Sequence, residues 1–403
     1  MLQGRVVRGA LCVLFPLLSA VAGARAADTA VRIGELNSYS RFAAFALPYR
    51  NGMQLAEEEI NANGGVLGGR HMEIVFRDDG STPGDAVRVA QELLSREHVA
   101  FLAGTFLSNV GLAVADFANQ QQTLFLATEP LTDAITMAQG NKFTYRVRPS
   151  TYMQTRMLVE AVARKGVKQW AIVAPNYEYG QSAAAIFKRL IAGATPDARI
   201  IAEQFPALGK VDAGATVAAL ENAKPDGIFN VLFGADLAVF VREGNTRGLF
   251  EKRTVASLLT GEPEYLLPLG EETPEGWLVT GYPVDQITDG AHKAFIDAYR
   301  AKYQDTPRLG SLLGYMVGYM MRDILDKAGA TDTAKLLAAL DDAKFATLVG
   351  PVVMRALDHQ STLGAWVGET ARQDKRGTMR NWRYEDGTKY LFPEAEVRAV
   401  RKP

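Results

Sequence analysis

The chain has 403 residues, 48% hydrophobic and 22% charged, with 44 basic residues against 45 acidic ones. Those values describe a folded protein with cores for two or three domains, exclude a disordered chain, and lack the basic excess of a nucleic-acid binder. The single cysteine, Cys12, lies near the amino terminus, so the remainder has no means of forming a disulfide, a thiolate metal site or a thiol nucleophile.

Residues 1–26 read as a secretory signal peptide. Arg5 and Arg8 precede an apolar segment from Ala10 to Val21, and Ala24-Arg25-Ala26 is a small-x-small cleavage pattern. The segment contains Pro16 and falls short of the roughly 20 residues that a membrane-spanning helix needs. Cys12, with Gly9-Ala10-Leu11 before it and little chain upstream, makes a poor lipid-attachment site. Export and cleavage near Ala27 are therefore expected, leaving a cysteine-free and modestly acidic protein.

From Val31 onward, short β-branched runs alternate with helical periodicity. "VRIGEL" (31–36) predicts a strand, and "RNGMQLAEEEINANGG" a helix that buries Met53, Ala56 and Ile60 and stops at Asn63-Gly64. "MEIVFRDD" (72–79) is the next strand. Ser81, Thr82 and Pro83 then form a helix start with a capping hydroxyl, and apolar residues follow at Ala86, Val89, Ala90 and Leu93. "VAFLAG" (99–104) and "TLFLAT" (123–128) are continuous apolar runs, the pattern of strands covered on both faces. A second series begins near Ser150: a helix over 152–165, strands at "KQWAIVAP", "RIIAEQFP", "DGIFNVLF" and "TVASLLTG", and helices between them. Three more helices follow over 289–304, 311–328 and 332–343, then strands and turns in "GPVVMRALDHQ" and "MRNWRYEDG". Two doubly wound α/β lobes joined by short crossings account for this alternation.

Enzyme signatures are missing from this α/β pattern. The glycines of "NGGVLGGR" follow a helix and lack G-x-G-x-x-G spacing; there is no P-loop and no G-x-S-x-G elbow. His71, His98, His292 and His359 form no zinc pair at i, i+4. No cofactor is expected.

Residues just beyond the carboxyl ends of the strands are the candidate ligand contacts, because open α/β sheets bind there. In the first lobe these are Phe106 and Ser108, then Thr128, Leu131 and Thr132 in "TEPLTD"; in the second they are Tyr177 and Tyr179 in "VAPNYEYGQS", Phe233, and Glu262 in "LLTGEPEYL". Ser108 at the N-cap of the helix "NVGLAVADFANQ" either caps it or takes a ligand carboxylate. A lone buried carboxylate at Glu262 implies a positive ligand group. Whether Glu262 or Glu264 faces the cleft is left open by the spacing.

The motifs "VRIGEL…NGMQLAEEEINANGGVLGGRHMEIVFRDDGSTPGDAVRVAQELL", "AIVAPNYEYGQS", "KPDGIFNVLFGADLAVFVREGNTRGL" and "PEGWLVTGYP" follow one another in the order of a known family. Nearly the whole chain resembles the periplasmic solute-binding proteins of the branched-chain amino acid class, the leucine/isoleucine/valine-binding family that serves ABC importers. "DHQSTLGAWVGETARQ" and "NWRY" resemble a subgroup of it. The resemblance implies a type I periplasmic binding fold: two Rossmann-like lobes with a hinge of three crossings near 148, 282 and 350. Lobe 1 would hold 27–148 and 283–350, and lobe 2 would hold 149–282 and 351–403.

It further implies that Ser108 takes a ligand carboxylate, Tyr179 covers the ligand, and Glu262 pairs with its ammonium. Phe45 and Phe233 stand where the family has tyrosines, and its assisting threonine falls near Leu131 or Thr132. These departures favour an apolar or aromatic ligand. The implied partners are a small-molecule ligand and an inner-membrane ABC permease with its ATPase, with the protein acting as a monomer. A hydrophobic α-amino acid is the first expectation for the ligand, an aromatic carboxylate the alternative; an enzyme or a receptor-linked sensor using the same cleft are the rival functions.

Overall fold

A computed structural model describes residues 1–4, 30–288 and 290–401; most of the expected leader, and Cys12 with it, lies outside the described residues. The first lobe begins with β1 (Val31–Asn37), α1 (Ala43–Ala62), β2 (Met72–Asp78), α2 (Pro83–Ser95), β3 (Leu102–Gly104), α3 (Ser108–Gln121), β4 (Phe125–Ala127) and β5 (Thr144–Arg146). The chain then crosses into α4 (Thr151–Val162), β6 (Gln169–Val173), α5 (Glu178–Ala194), β7 (Arg199–Gln204), α6 (Ala213–Ala223), β8 (Gly227–Asn230), α7 (Gly234–Thr246), β9 (Thr254–Gly261), α8 (Pro263–Leu269) and β10 (Leu278–Gly281). It returns through α9 (Gly290–Tyr303), α10 (Leu309–Ala328), α11 (Thr333–Leu340), β11 (Lys344–Thr347), β12 (Gly350–Arg355) and β13 (Gln360–Ser361). A last crossing leads to β14 (Ala365–Gln373), β15 (Arg376–Glu385) and α12 (Glu394–Val400).

The two sheets run β11-β12-β13-β5-β4-β3-β1-β2 and β15-β14-β10-β9-β8-β6-β7. Their parallel cores share one order, 2-1-3-4-5 in the first lobe and its equivalent 7-6-8-9-10 in the second, so each lobe has a switch point where the winding reverses. β3 and β4 are buried along their whole length, which explains their uninterrupted apolar sequence. One face of the first sheet packs a core with α1 and α10; the other joins the second lobe's core in a single apolar cluster.

Thr82 caps α2 as its sequence suggests, with Oγ1 accepting the Asp85 N–H at 3.3 Å and Pro83 in the first turn. Other boundaries differ. α1 begins at Ala43 rather than near Arg50, carrying Pro48 inside it; the missing N–H removes one helical bond, while the added turns bury Phe45 and Tyr49. The third crossing is also displaced. β12 and β13 pair with the first sheet, β13 against Arg146 of β5, so residues 350–361 belong to lobe 1 and the chain passes over at 362–364, not near 350.

Candidate ligand-binding cleft

The carboxyl ends of both parallel sheets face each other, and seven rings meet between them. From the first lobe, Phe45 and Phe106 stack at 5.2 Å. From the second, Phe233 approaches both edge-on at 6.2 and 6.1 Å, and Tyr265 lies 5.5 Å from Phe45. Tyr179 meets Phe233 edge-on at 6.1 Å, Tyr177 sits 6.1 Å from Tyr179, and Phe42 sits 5.4 Å from Phe106. Edge-to-face contact at these separations adds to the simple burial of apolar area, and the ring cluster closes the lobes on each other.

The rings divide the cleft. Inside them lies a chamber of about 20 Å³ whose wall includes Phe106, Ser108, Glu129, Arg148, Tyr179 and Phe233. Outside is a vestibule of about 580 Å³ bounded by Arg41, Phe45, Leu208, Asp236, Tyr265 and Pro268. A third cavity, of about 30 Å³, lies against the hinge between Arg148, Glu262, Leu313, Leu363 and Trp366.

Among the sequence-derived candidates, Phe106, Ser108, Tyr179 and Phe233 share the inner chamber, and Phe45 forms the vestibule wall. Tyr177 also lines the chamber, as the residue preceding α5. Ser108, however, is not an N-cap. Leu107 holds that position in extended conformation, and Ser108 Oγ instead accepts the backbone N–H groups of Leu131 and Thr132 at 3.3 and 3.2 Å. The serine thus ties the β4 turn to the α3 start, leaving the first-turn N–H groups of α3 without intrahelical partners.

Leu131 and Thr132 make different contacts. Leu131 lines the chamber, while Thr132 Oγ1 donates to Glu178 Oε1 at 2.5 Å across the lobes. Beside it, Thr151 Oγ1 donates to Asp133 Oδ2 at 2.6 Å and meets Ser182 Oγ at 2.7 Å, extending the polar latch.

Glu262 lies outside the ring-lined chamber, 3% exposed, where its Oε1 accepts a hydrogen bond from Arg148 Nη2. Glu264 caps α10 across the lobes, accepting the N–H groups of Gly310 and Leu309 at 2.9 and 3.2 Å. Burial is the largest influence on Glu262 and raises it above the ordinary carboxyl range, against the pull of Arg148; the same contact raises Arg148 although burial opposes its charge. The two directions conflict, and the guanidinium decides the matter. It keeps its proton throughout this range, so a carboxyl bonded to it is held as carboxylate.

Arg148 and Glu129 carry chemistry in the wall and were not among the sequence candidates. Both stand at strand ends, in "RVRPS" after β5 and "ATEPL" after β4, so position alone was the available signal. Among the described residues, no group of three or more His, Cys, Asp or Glu could hold a metal, and no helix is long and apolar enough to cross a membrane.

Two parallel sheets with facing carboxyl ends, joined by three crossings around an apolar, ion-paired cleft, define a two-lobed solute-binding protein. The chain belongs to the periplasmic binding protein family, whose model matches residues 30–376. It is 25% identical over 407 residues to the Leu/Ile/Val-binding protein homolog 7 of Brucella suis, covering 95% of this chain and 96% of that protein. It is 29% identical over 307 residues to the leucine-, isoleucine-, valine-, threonine-, and alanine-binding protein of Pseudomonas aeruginosa, covering 75% and 79%. The fold matches an ABC transporter solute-binding protein of Rhodopseudomonas palustris BisB5 in complex with 3,4-dihydroxybenzoic acid, with TM-score 0.79 and 20% identity over 89% of this chain and 99% of that one. The family is one of periplasmic binding proteins, which work outside the cytoplasm.

Proposed function

We propose that this chain is a non-enzymatic, monomeric capture component that holds a small carboxylate with a hydrophobic body between its lobes. It delivers that ligand to an inner-membrane permease driven by a partner ATPase. The leader at 1–26 directs export and is removed near Ala27. Within this ligand class, the buried Arg148–Glu262 pair carries the assignment. Arg148 already supplies the cation that Glu262 would otherwise seek in a ligand ammonium, and the same residue also lines the ring-walled chamber. A planar guanidinium has donors to spare for a ligand carboxylate. The cleft therefore favours amine-free acids with flat apolar bodies, as in the dihydroxybenzoate complex of the structural relative.

A hydrophobic amino acid is the second reading, supported by the excess of acid: Glu129, Glu262 and Glu264 all act on the one Arg148. Calorimetry against benzoate, 4-hydroxybenzoate, leucine and phenylalanine separates the two. On the first reading the benzoates bind, Arg148→Gln weakens them by about 2–5 kcal/mol, as truncation of a desolvated charged partner does, and Glu262→Gln is tolerated. Wild-type binding confined to the amino acids, and lost in Glu262→Gln, would overturn it.

A further inference from the structure

Glu129, 3% exposed, immediately follows the β4 turn residue Thr128 and borders the same chamber as Arg148, Ser108 and Tyr179. Asn37 Nδ2 donates to its Oε2 at 2.9 Å and lies 3.4 Å from Glu35 Oε1, while the Tyr39 hydroxyl donates to Glu35 Oε2. A neutral amide thus bridges two buried carboxyls. Every packed element adds charge or a titratable group to this corner: Glu35 and Tyr39 from β1 and its turn, Tyr49 from α1, Asp79 from beyond β2, Arg148 from beyond β5, and Glu262 and Glu264 across the cleft. Arg148 is the cation that acts on Glu129, and Glu262 has already engaged it, while Arg50 of α1 lies over the Tyr39 ring at 5.6 Å. A second, independent observation belongs to the same chamber: Tyr179, which lines it, is 2% exposed, and its buried hydroxyl has no hydrogen-bond partner among the described residues.

A ligand carboxylate arriving at Arg148 would put one more anion into this acid-rich corner. Like charges sharing a low-dielectric site do not all stay ionised. We propose that Glu129 is a specificity-determining residue of the ligand site that accepts a proton as the carboxylate enters, so that the cleft captures the anion and a proton together. The proton comes from solvent, and no covalent bond changes. Protonated Glu129 then faces the ligand as a hydrogen-bond donor beside the free Tyr179 hydroxyl, a pair that suits an acid bearing a polar substituent and rejects a second ligand anion. Burial pushes Glu129 up to about 7, against the opposing pulls of Asn37 and Arg148, so the proton is exchangeable near neutrality.

This inference rests on the carboxylate reading of the cleft, and the experiment separates the two. Benzoate and leucine are titrated calorimetrically into the wild type at one pH near 7.5, in buffers of differing ionisation heat. Proton uptake with benzoate, and an affinity that falls about tenfold per pH unit above pH 8, are expected; both effects are expected to vanish in Glu129→Gln. Benzoate binding without proton movement would overturn the role of Glu129 and leave the carboxylate reading standing. Leucine binding with proton release, and no benzoate binding, would overturn both. Infrared spectroscopy of the ligand-free protein between pH 5.5 and 8.5 provides an arm that needs no ligand: beside the Asp79 band that titrates near 6, a protonated-carboxyl band is expected to titrate near 7 in the wild type and to be missing in Glu129→Gln. Persistence of that second band in the variant would overturn the proposal even if neither probe binds. The buffer comparison on wild type stands whether or not the variant folds.

Discussion

Asp79 shows how single buried carboxyls set the pH behaviour of this molecule. Its Oδ1 accepts Ser38 Oγ at 2.9 Å and the Ser81 N–H at 2.7 Å, while Oδ2 is buried with no partner, and burial raises the group to about 6. A carboxyl raised in the folded state binds its proton more tightly there than in the unfolded chain. Its stabilising contribution is therefore complete below the unfolded value near 4 and is lost as pH rises through about 6. Asp79→Asn keeps the accepting oxygen and removes the charge, so it is expected to be near neutral at pH 4 and to stabilise at pH 8 by roughly 1–3 kcal/mol, since each pKa unit corresponds to about 1.4 kcal/mol. Urea denaturation at the two pH values checks this, and an offset that does not change with pH would refute it. At this scale the sequence was readable where a residue type and a strand end coincided, as at Tyr179 and Phe233. It was not readable where function depends on pairing. Arg146 and Arg148 look alike in "YRVRP", yet Arg146 is spent on the Leu131 carbonyl at 3.2 Å and Thr136 Oγ1 at 3.0 Å, and only Arg148 reaches the cleft.

Between elements, the closest packing in the first lobe joins α1 to α10, and glycine makes it possible. A Cβ added at Gly52 would stand 1.9 Å from the Ser311 carbonyl oxygen, and one at Gly314 would stand 2.1 Å from that of Tyr49. Those neighbours are backbone, so the helices must separate to admit even a methyl group. Gly314→Ala is expected to destabilise by at least 1–3 kcal/mol, the usual range for overpacking, despite the better helix propensity of alanine. Gly193→Ala, in α5 with nothing within 4 Å of the added carbon, is the control, expected to be neutral or stabilising. Denaturation midpoints decide; equal shifts for the two variants would mean that propensity and not helix approach governs position 314. Periodicity placed α10 and most strands within a few residues because buried faces impose it. It could not place α1 at Ala43, since Pro48 mimics a helix start, nor assign β12 and β13 to a lobe, since strand order depends on contacts far apart in sequence.

Across the whole molecule, the three crossings at 147–150, 282–288 and 362–364 have an ally at the carboxyl end. α12 packs on the second lobe, where Phe392 stacks on Tyr152 at 3.8 Å and Arg189 pairs with Glu396. The next residue beyond the helix, Arg401, reaches into the first lobe, donating to the carbonyls of Thr136 at 3.0 Å, Asp358 at 2.6 Å and Asn141 at 2.9 Å. These bonds tie the carboxyl-terminal segment to both lobes. They resist shear between the lobes while the mouth, held chiefly by apolar ring contact, remains free to part. Ligand binding adds contacts from both lobes and so favours the closed form. Small-angle scattering is therefore expected to show the wild type compacting when a saturating ligand is added, because ligand contacts to both lobes add to the rings and to the few cross-lobe hydrogen bonds of Thr132 and Glu264. Arg401→Ala is expected to enlarge the ligand-free radius of gyration and weaken ligand binding, since lobes no longer held in register close less often on a complete site. Arg398→Ala, whose partner Glu394 lies on the same helix, serves as the control and is expected to change neither. A wild type whose radius of gyration is unmoved by saturating ligand would remove the closure mechanism, and an Arg401→Ala protein indistinguishable from Arg398→Ala would reduce the clasp to surface decoration.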